Sequence, residues 1–255
     1  MKAEKTLRMR CAIGVVLAVA ILLWSADGAQ ISLSDLTAGS GNIWDFLSRL
    51  FPPDFSEFPL IIRLLVETLQ IAIIGTAIGA LLSLTIAMGA AENIAPWWIY
   101  HPVRTVMNII RSIPDLVFAL VFVSAVGLGP FAGVLTMMVG SVGSIGKVFA
   151  EAMESVDEEP VNALKAVGAS SPQVVHYGIL SQALPALVSY TLLLFESNVR
   201  SATILGLVGA GGIGLELTLA INRYEYGHLS AMIICIVVLV AVIDQFSAVI
   251  RKKVH

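Results

Sequence analysis

Long apolar stretches separated by short polar ones are the feature that most constrains this chain. They cover residues 11–24, 64–89, 103–127, 131–150, 178–200 and 228–250. An α-helix needs roughly 20 apolar residues to cross the hydrocarbon core of a bilayer, and most of these stretches approach or exceed that length. Only 13% of the residues are charged, about half the share in an ordinary soluble domain, and the mean hydropathy is +0.89. We therefore predict an all-α polytopic membrane protein with about six transmembrane helices.

The distribution of positive charge predicts the orientation of these helices. Cytoplasmic segments of membrane proteins carry an excess of Lys and Arg. On the predicted topology the inner segments hold Lys2, Lys5, Arg8, Arg10, Arg104, Arg111, Lys147, Lys165, Arg251, Lys252 and Lys253, whereas the outer ones hold Arg49, Arg63, Arg200 and Arg223. Both termini are therefore expected in the cytoplasm. The net charge of −3 gives no reason to expect a nucleic-acid partner.

We divide the chain into an N-terminal region, residues 1–59, and a core, residues 60–255. The N-terminal region contains a first transmembrane helix and an outer loop with a short surface helix near residues 43–50. Two interpretations of the first apolar stretch stay open. It is a retained span, or it is a cleaved signal peptide, because Ala26-Asp27-Gly28-Ala29 offers small residues at a possible cleavage site.

Small residues four positions apart predict close helix packing in the membrane. Gly75, Gly79 and Ser83 share one face of the second span, and Gly140 and Ser144 have the same spacing on the fourth. This pattern allows helix backbones to approach closely in lipid, although glycine is also common in membrane helices generally.

A proline interrupts the third span. Ser112-Ile-Pro114-Asp115 lies within residues 103–127 and predicts a kink, because proline removes a backbone hydrogen-bond donor.

The residues from Glu151 to Pro185 form a long polar, charge-bearing insert between apolar blocks. Pro160 suits the first turn of a helix, and Gly168 is placed to end that helix in a left-handed conformation. Ser170 or Ser171, followed by Pro172, begins a second helix. The insert is thus predicted to be a short helix, a glycine turn and a second helix at the membrane surface, which a motor subunit could grip.

Glu196, Asn198, Arg200 and Ser201 are polar residues at the end of a late predicted span. Ionisable groups inside a bilayer are costly and often functional. Glu196 and Arg200 lie four residues apart, so they share a helix face and are expected to pair. Two interpretations stay open: a structural ion pair at the helix end, or polar groups that line a substrate pathway.

Other motifs give little reason to expect an enzyme. Gly209-Ala-Gly211-Gly212-Ile-Gly214 matches a dinucleotide-binding pattern, but it follows a predicted membrane helix rather than a strand, so tight turns or a re-entrant segment packed in protein explain it better. The four histidines are scattered, and no spacing typical of a metal site or catalytic triad occurs. A membrane-embedded enzyme and a non-transporting scaffold are weaker alternatives.

The polar insert resembles the cytoplasmic EAA loop of ABC importer permeases. Its spacing, Ala163-(x)4-Gly168-Ala-Ser-(x)13-Leu184-Pro185, is the feature that carries the resemblance. The chain departs from the family pattern at Asn162, where the family has glutamate, at Leu164, where it has alanine, and at Ser181, where many members have proline. The resemblance implies a type I importer permease fold in which this loop is a coupling helix. It assigns coupling to an ATPase to Asn162, Ala163, Leu164, Gly168, Ala169, Ser170, Leu184 and Pro185.

Further stretches resemble the phosphonate permease branch of that family. They are 111–114, 151–155, 197–203 and 206–214. This resemblance implies import of a phosphonate or phosphite; the neighbouring methionine and osmoprotectant branches are the alternative. It further implies a homodimer in the bacterial inner membrane, two ATPase subunits that bind ATP and Mg²⁺, and an extracytoplasmic substrate-binding protein. The chain itself is expected to bind no cofactor and to have no catalytic site.

Overall fold

The computed structural model describes residues 2–29 and 33–254. It divides the chain into two compact units, Met1–Phe51 and Pro52–His255. The first unit contains α1, Lys2–Gly28, and α2, Leu33–Arg49. The first predicted span lies within α1, whose described apolar part, Ile13–Gly28, is shorter than the other candidate spans. The predicted surface helix, residues 43–50, overlaps the end of α2.

The second unit consists of helices joined by short connections. These are α3 (Phe58–Ala90), α4 (Trp97–Ser112), α5 (Asp115–Val126), α6 (Pro130–Glu154), α7 (Glu158–Ala166), α8 (Ser171–Gln173), a π-helical segment (Val174–Leu180), α9 (Ser181–Leu205), a 3₁₀ turn (Gly206–Val208), α10 (Ile213–Asn222) and α11 (Tyr226–Val254). The described parts of the chain contain no β-strand, so the all-α prediction is confirmed.

Fewer helices are long enough to span a membrane than the sequence predicts. Among the described residues, four helical stretches qualify: Phe58–Ala90, Pro130–Glu154, Ser171–Val208 and Tyr226–Lys253. α4 and α5 together make a fifth if they count as one span, but they meet at 88°. The predicted kink is therefore a break. Pro114 excludes its predecessor from helical geometry, and Ile113 is accordingly extended, with ψ of 123°.

The second helix of the polar insert is not a separate element. From Ser171 the chain continues through the π-helical segment into α9, so that one apolar run of 38 residues extends to Val208. Pro185 lies inside α9 rather than at its boundary. A continuous helix connects the insert directly to the membrane interior.

The α3–α6 pair forms the centre of the second unit. A Cβ atom added to Gly75 would lie 2.4 Å from the Cβ of Met137, and one added to Gly79 would lie 2.5 Å from the Cβ of Ser141. Ser83 is fully buried and donates a hydrogen bond to the Gly79 carbonyl at 2.6 Å. These positions therefore allow the two backbones to approach closely, as the spacing predicts.

The glycines of α6 also allow a second close contact, between α6 and the α4–α5 pair. Gly140 lies against Asp115, and a Cβ on Gly143 would be 2.7 Å from the backbone nitrogen of Arg111. A Cβ on Gly146 would be 2.9 Å from the Met107 Cε. Ser144, which the sequence assigns to helix packing, is instead exposed. One residue from Gly143, it lies on a different face of α6, so this part of the packing prediction is wrong for the isolated chain.

The glycine-rich loop before α10 packs against α3. Gly209, Gly211 and Gly212 have φ angles of 85°, 83° and 75°, in the left-handed region that favours glycine. Glu67 accepts a hydrogen bond from the Gly212 nitrogen at 2.8 Å, and Thr68 accepts one from the next residue at 2.9 Å. These bonds satisfy two of the four free N–H groups at the start of α10. The loop forms the tight turns expected from its glycines.

Candidate functional site

The short helix α7 begins where its local sequence predicts. Asp157 is its N-cap, and its Oδ1 accepts a hydrogen bond from the Glu159 nitrogen at 3.1 Å. Glu158 and Glu159 occupy the first turn, where negative charge interacts favourably with the helix dipole. Pro160 lies in the same turn, where it needs no backbone donor. The beginning of α7 is therefore determined by four consecutive residues.

The end of α7 depends on Gly168. Its φ is 82°, and its nitrogen donates to the Lys165 carbonyl at 3.1 Å. The Ala169 nitrogen donates to the Leu164 carbonyl, also at 3.1 Å. This pair of bonds is a Schellman motif, which terminates a helix with a left-handed residue. Val167, immediately before the glycine, is 81% exposed, so an apolar side chain projects from the tip.

One face of α7 packs on the π-helical segment. Val161 is buried together with Val174 and Ile179, and Leu164 packs against the same cluster. Gly178 allows this contact, because a Cβ there would lie 3.1 Å from the Leu164 Cδ1. The opposite face of α7 is exposed.

Gln182 attaches the start of α7 to α9. Its Oε1 accepts a hydrogen bond from the Asp157 nitrogen at 3.1 Å, and its Nε2 donates to the Asp157 carbonyl at 3.2 Å. The same Nε2 donates to the Gly178 carbonyl at 2.6 Å. Sequence reasoning missed Gln182, because a single glutamine 25 positions from its partner carries no local signal. This contact links the surface helix to a membrane helix.

A second connection joins the ends of α3 and α6 to the middle of α4. Arg104 donates through Nη2 to both oxygens of Glu154, at 2.9 and 2.8 Å, and through Nε to the Ala90 carbonyl at 3.1 Å. Glu154 also accepts from the Glu92 nitrogen at 2.7 Å. The guanidinium lies over the Tyr100 ring, 4.6 Å from its centroid. Charge counting placed Arg104 on the inner side, but it did not identify this partner.

A cleft of about 480 Å³ lies between α7, the start of the long helical run and the α3–α4 connection. Its lining includes Asn93, Glu154, Asn162, Lys165 and Ser171. The cleft beside α7 is thus lined by a carboxylate, an ammonium group and two side-chain amides. The cleft belongs to the same surface as the exposed face of that helix.

The predicted coupling residues differ in their exposure to solvent. Asn162, Ala163, Gly168, Ser170 and Leu184 are exposed, whereas Leu164, Ala169 and Pro185 are half-buried. The Ser170 nitrogen and hydroxyl both donate to the Gln173 Oε1, at 2.8 and 2.9 Å. Among the half-buried residues, Leu164 and Ala169 pack against the buried cluster that includes Val161.

Glu196 and Arg200 do not pair with each other. The Arg200 Nη1 donates to Oδ1 and Oδ2 of Asp244, at 3.1 and 3.2 Å, and Arg251 forms an ion pair with Glu196. Both new partners lie on α11, which runs antiparallel to α9. The predicted pairing within α9 is therefore wrong: the neighbouring helix offers an opposite charge to each residue.

Asn198 and Ser201 have different surroundings. Asn198 is buried, and its Nδ2 donates to the Thr76 Oγ1 at 2.9 Å and the Ser141 Oγ at 3.2 Å, so it joins α3, α6 and α9. Ser201 is half-buried beside Arg200. Asn198 therefore makes a packing contact and is almost fully buried.

Comparisons with known proteins agree with this architecture. The model of the family "Binding-protein-dependent transport system inner membrane component" matches residues 79–255. The phosphite transport system permease protein PtxC of Stutzerimonas stutzeri is 40% identical over 87% of this chain and 81% of its own length. HtxC of the same organism, also named for a phosphite transport system, is 39% identical over 93% of this chain and 84% of its own length.

A solved structure titled "Inward facing conformations of the MetNI methionine ABC transporter" has the same fold. One of its chains superposes with a TM-score of 0.68 at 25% identity, over 77% of this chain and 96% of that chain. The chain belongs to the family of inner membrane components of binding-protein-dependent transport systems, and it is a multi-pass permease with the fold of type I ABC importers.

Proposed function

We propose that this chain is the membrane-spanning subunit of an ATP-driven importer of a small phosphorus oxyanion, phosphite or a phosphonate. The similarity to PtxC and HtxC over most of the chain supports the substrate class. The main support for an external ATPase as the source of energy is the exposed face of α7. Gln182 attaches this helix to α9, so a protein that binds α7 can act on a membrane span. The permease has no catalytic role in this scheme, and ATP and Mg²⁺ are bound by the ATPase.

The proposed complex contains two permease copies, two ATPase subunits and a substrate-binding protein. The tip of α7, with Val167 exposed beside Gly168, offers each ATPase an apolar contact. ATP binding draws the ATPase subunits together and moves both α7 helices. Gln182 transmits the displacement to the 38-residue run from Ser171 to Val208, which crosses the membrane. The spans then open outward to accept substrate, and hydrolysis resets them.

Both termini are placed in the cytoplasm in this proposal. The basic residues Arg251, Lys252 and Lys253 at the end of α11 support this orientation. With Cys11 and Cys235 replaced by serine, a cysteine at exposed Lys165 should react with an impermeant thiol reagent only after the cells are opened. A cysteine at exposed Asn222 should react in intact spheroplasts. The reverse pattern would invalidate the orientation.

A deletion strain tests the substrate. Without this permease, a strain with no second importer should fail to grow on phosphite or an alkylphosphonate as sole phosphorus source, and it should grow normally on phosphate through its own importer. Plasmid-borne permease should restore growth. The likeness to a methionine transporter structure makes methionine the second candidate. Normal growth on phosphite and phosphonate together with lost methionine uptake would assign the chain to methionine instead.

A further inference from the structure

Two ion pairs join α9 to α11, and they differ in exposure. In the first pair, the side chains of Arg200 and Asp244 are 49% and 44% exposed. In the second, those of Arg251 and Glu196 are 24% and 9% exposed. Glu196 and Arg200 are one helical turn apart, so the two pairs lie side by side along the α9–α11 contact. One pair is open to its surroundings and the other is largely enclosed by protein.

The open pair lies at membrane depth. Asp244 is about 27 Å along α11 from Tyr226 and about 15 Å from Val254, at the usual helical rise of 1.5 Å per residue. The whole stretch Tyr226–Lys253 is apolar enough to cross a membrane. That 28-residue stretch is about 42 Å long, so when it is centred on a hydrocarbon core of about 30 Å, Asp244 lies roughly 8 Å inside the edge nearer Val254.

A half-exposed ion pair at this depth does not fit contact with lipid. Charged side chains within spans face the bundle interior or a water-filled cavity, because lipid cannot solvate them. The face of α9 around Arg200 is mixed. Ser197 is exposed three residues earlier and Ser201 is half-buried next to Arg200. Leu193 and Ile204, in contrast, are exposed one turn or more away on the same face. The polar centre of this face therefore suits an aqueous pathway.

We propose that Asp244 is the resident counter-ion of Arg200 in the transport pathway, and that the substrate oxyanion replaces it during passage. This rests on the proposed function. A guanidinium binds two oxygen atoms side by side, which a carboxylate and a tetrahedral phosphorus oxyanion both present. Arg200 alone would hold the oxyanion too strongly. Asp244 competes for the same Nη1 donor and displaces the substrate on its release, so that the ion is not trapped.

The enclosed pair keeps the helices in place during this exchange. Glu196 and Arg251 connect α9 to α11 independently of Arg200. When Asp244 loses its partner to the substrate, this second contact preserves the alignment of the two helices. Glu196 is therefore assigned a positioning role and no contact with substrate.

Kinetics in proteoliposomes containing the permease, its ATPase and its binding protein test the exchange. Asp244→Asn removes the competing charge, so we expect KM for phosphite and the maximal uptake rate per complex both to fall, each by about tenfold, the effect of losing one charged competitor. Asp244→Glu should stay near the wild type. Arg200→Gln should abolish uptake, and Arg200→Gln/Asp244→Asn should assemble without recovering it.

The controls separate this proposal from its rivals. Asp45→Asn, which breaks the exposed Arg49–Asp45 pair in α2, should leave both parameters unchanged. Recovery of transport in the double variant, or unchanged KM and rate in Asp244→Asn, overturns the exchange, as does a loss confined to complex yield, which would mean that a second copy covers the pair. If the wild-type complex itself takes up no phosphite, the proposed substrate fails instead.

Discussion

Valine at position 168 is expected to uncouple ATP hydrolysis from uptake while leaving the complex in the membrane. Gly168 has a φ of 82°, and a left-handed backbone costs an L-residue about 1–2 kcal/mol, more for a β-branched one. An added Cβ meets no atom within 4 Å, so the effect comes from backbone conformation and not from a clash. The Schellman motif at the end of α7 should open and displace Val167. We expect uptake per complex to fall about tenfold, as a shift of 1.4 kcal/mol implies.

Two further variants test whether the effect comes from the left-handed backbone at position 168 or simply from replacing a glycine. Gly168→Asn should retain most coupling, because asparagine tolerates the left-handed region. Gly89→Ala, at a helical position where the added Cβ makes only ordinary contacts at 3.6 Å or more, should behave as wild type. ATPase activity and uptake are measured on the same preparation. Normal uptake per ATP in Gly168→Val would show that α7 does not need this termination to transmit force.

Leucine at Gly79 is expected to prevent assembly. The added Cβ would lie 2.5 Å from the Cβ of Ser141, and the larger side chain has no space between α3 and α6. Overpacking a close contact usually costs about 1–3 kcal/mol, and here two backbones must separate. The separation also breaks the network around Asn198, which donates to Thr76 and Ser141. We expect the amount of folded complex to fall by about tenfold or more, as such a cost implies.

Ala77→Leu is the matched control for Gly79→Leu, because Ala77 is exposed on the same helix and receives the same side chain. Complex yield is read by size-exclusion chromatography in detergent. Ala77→Leu should give wild-type yield, and Gly79→Ala should fall between the two. Equal yields of Gly79→Leu and wild type would mean that α3 and α6 do not pack as closely as described.

Helix starts and ends that depend on neighbouring residues were predicted best from the sequence. The termination of α7 at Gly168 and the start of the next helix at Ser170 follow from backbone preferences that act within a few positions. Contacts between distant residues were not predictable in this way. Gln182 binds Asp157, and Arg104 binds Glu154, only because separate helices bring them together.

The ion pairs of α9 show the limit of helical spacing as a guide. Glu196 and Arg200 have the spacing of a pair on one helix. Antiparallel α11, however, places Arg251 beside Glu196 and Asp244 beside Arg200. The break at Pro114 is a similar case. Proline predicts an interruption but not the 88° angle, and it does not predict the close approach of α4 to α6 at Gly143.

Uptake by a reconstituted complex tests the central claim most directly. The permease, its ATPase and its binding protein are placed in proteoliposomes, and accumulation of labelled phosphite is followed with ATP, without ATP and with a non-hydrolysable ATP analogue. We predict accumulation against a gradient only with ATP and binding protein, and a competing alkylphosphonate should reduce it whereas methionine should not. Accumulation of methionine instead, or phosphite entry that is independent of ATP, would contradict the account.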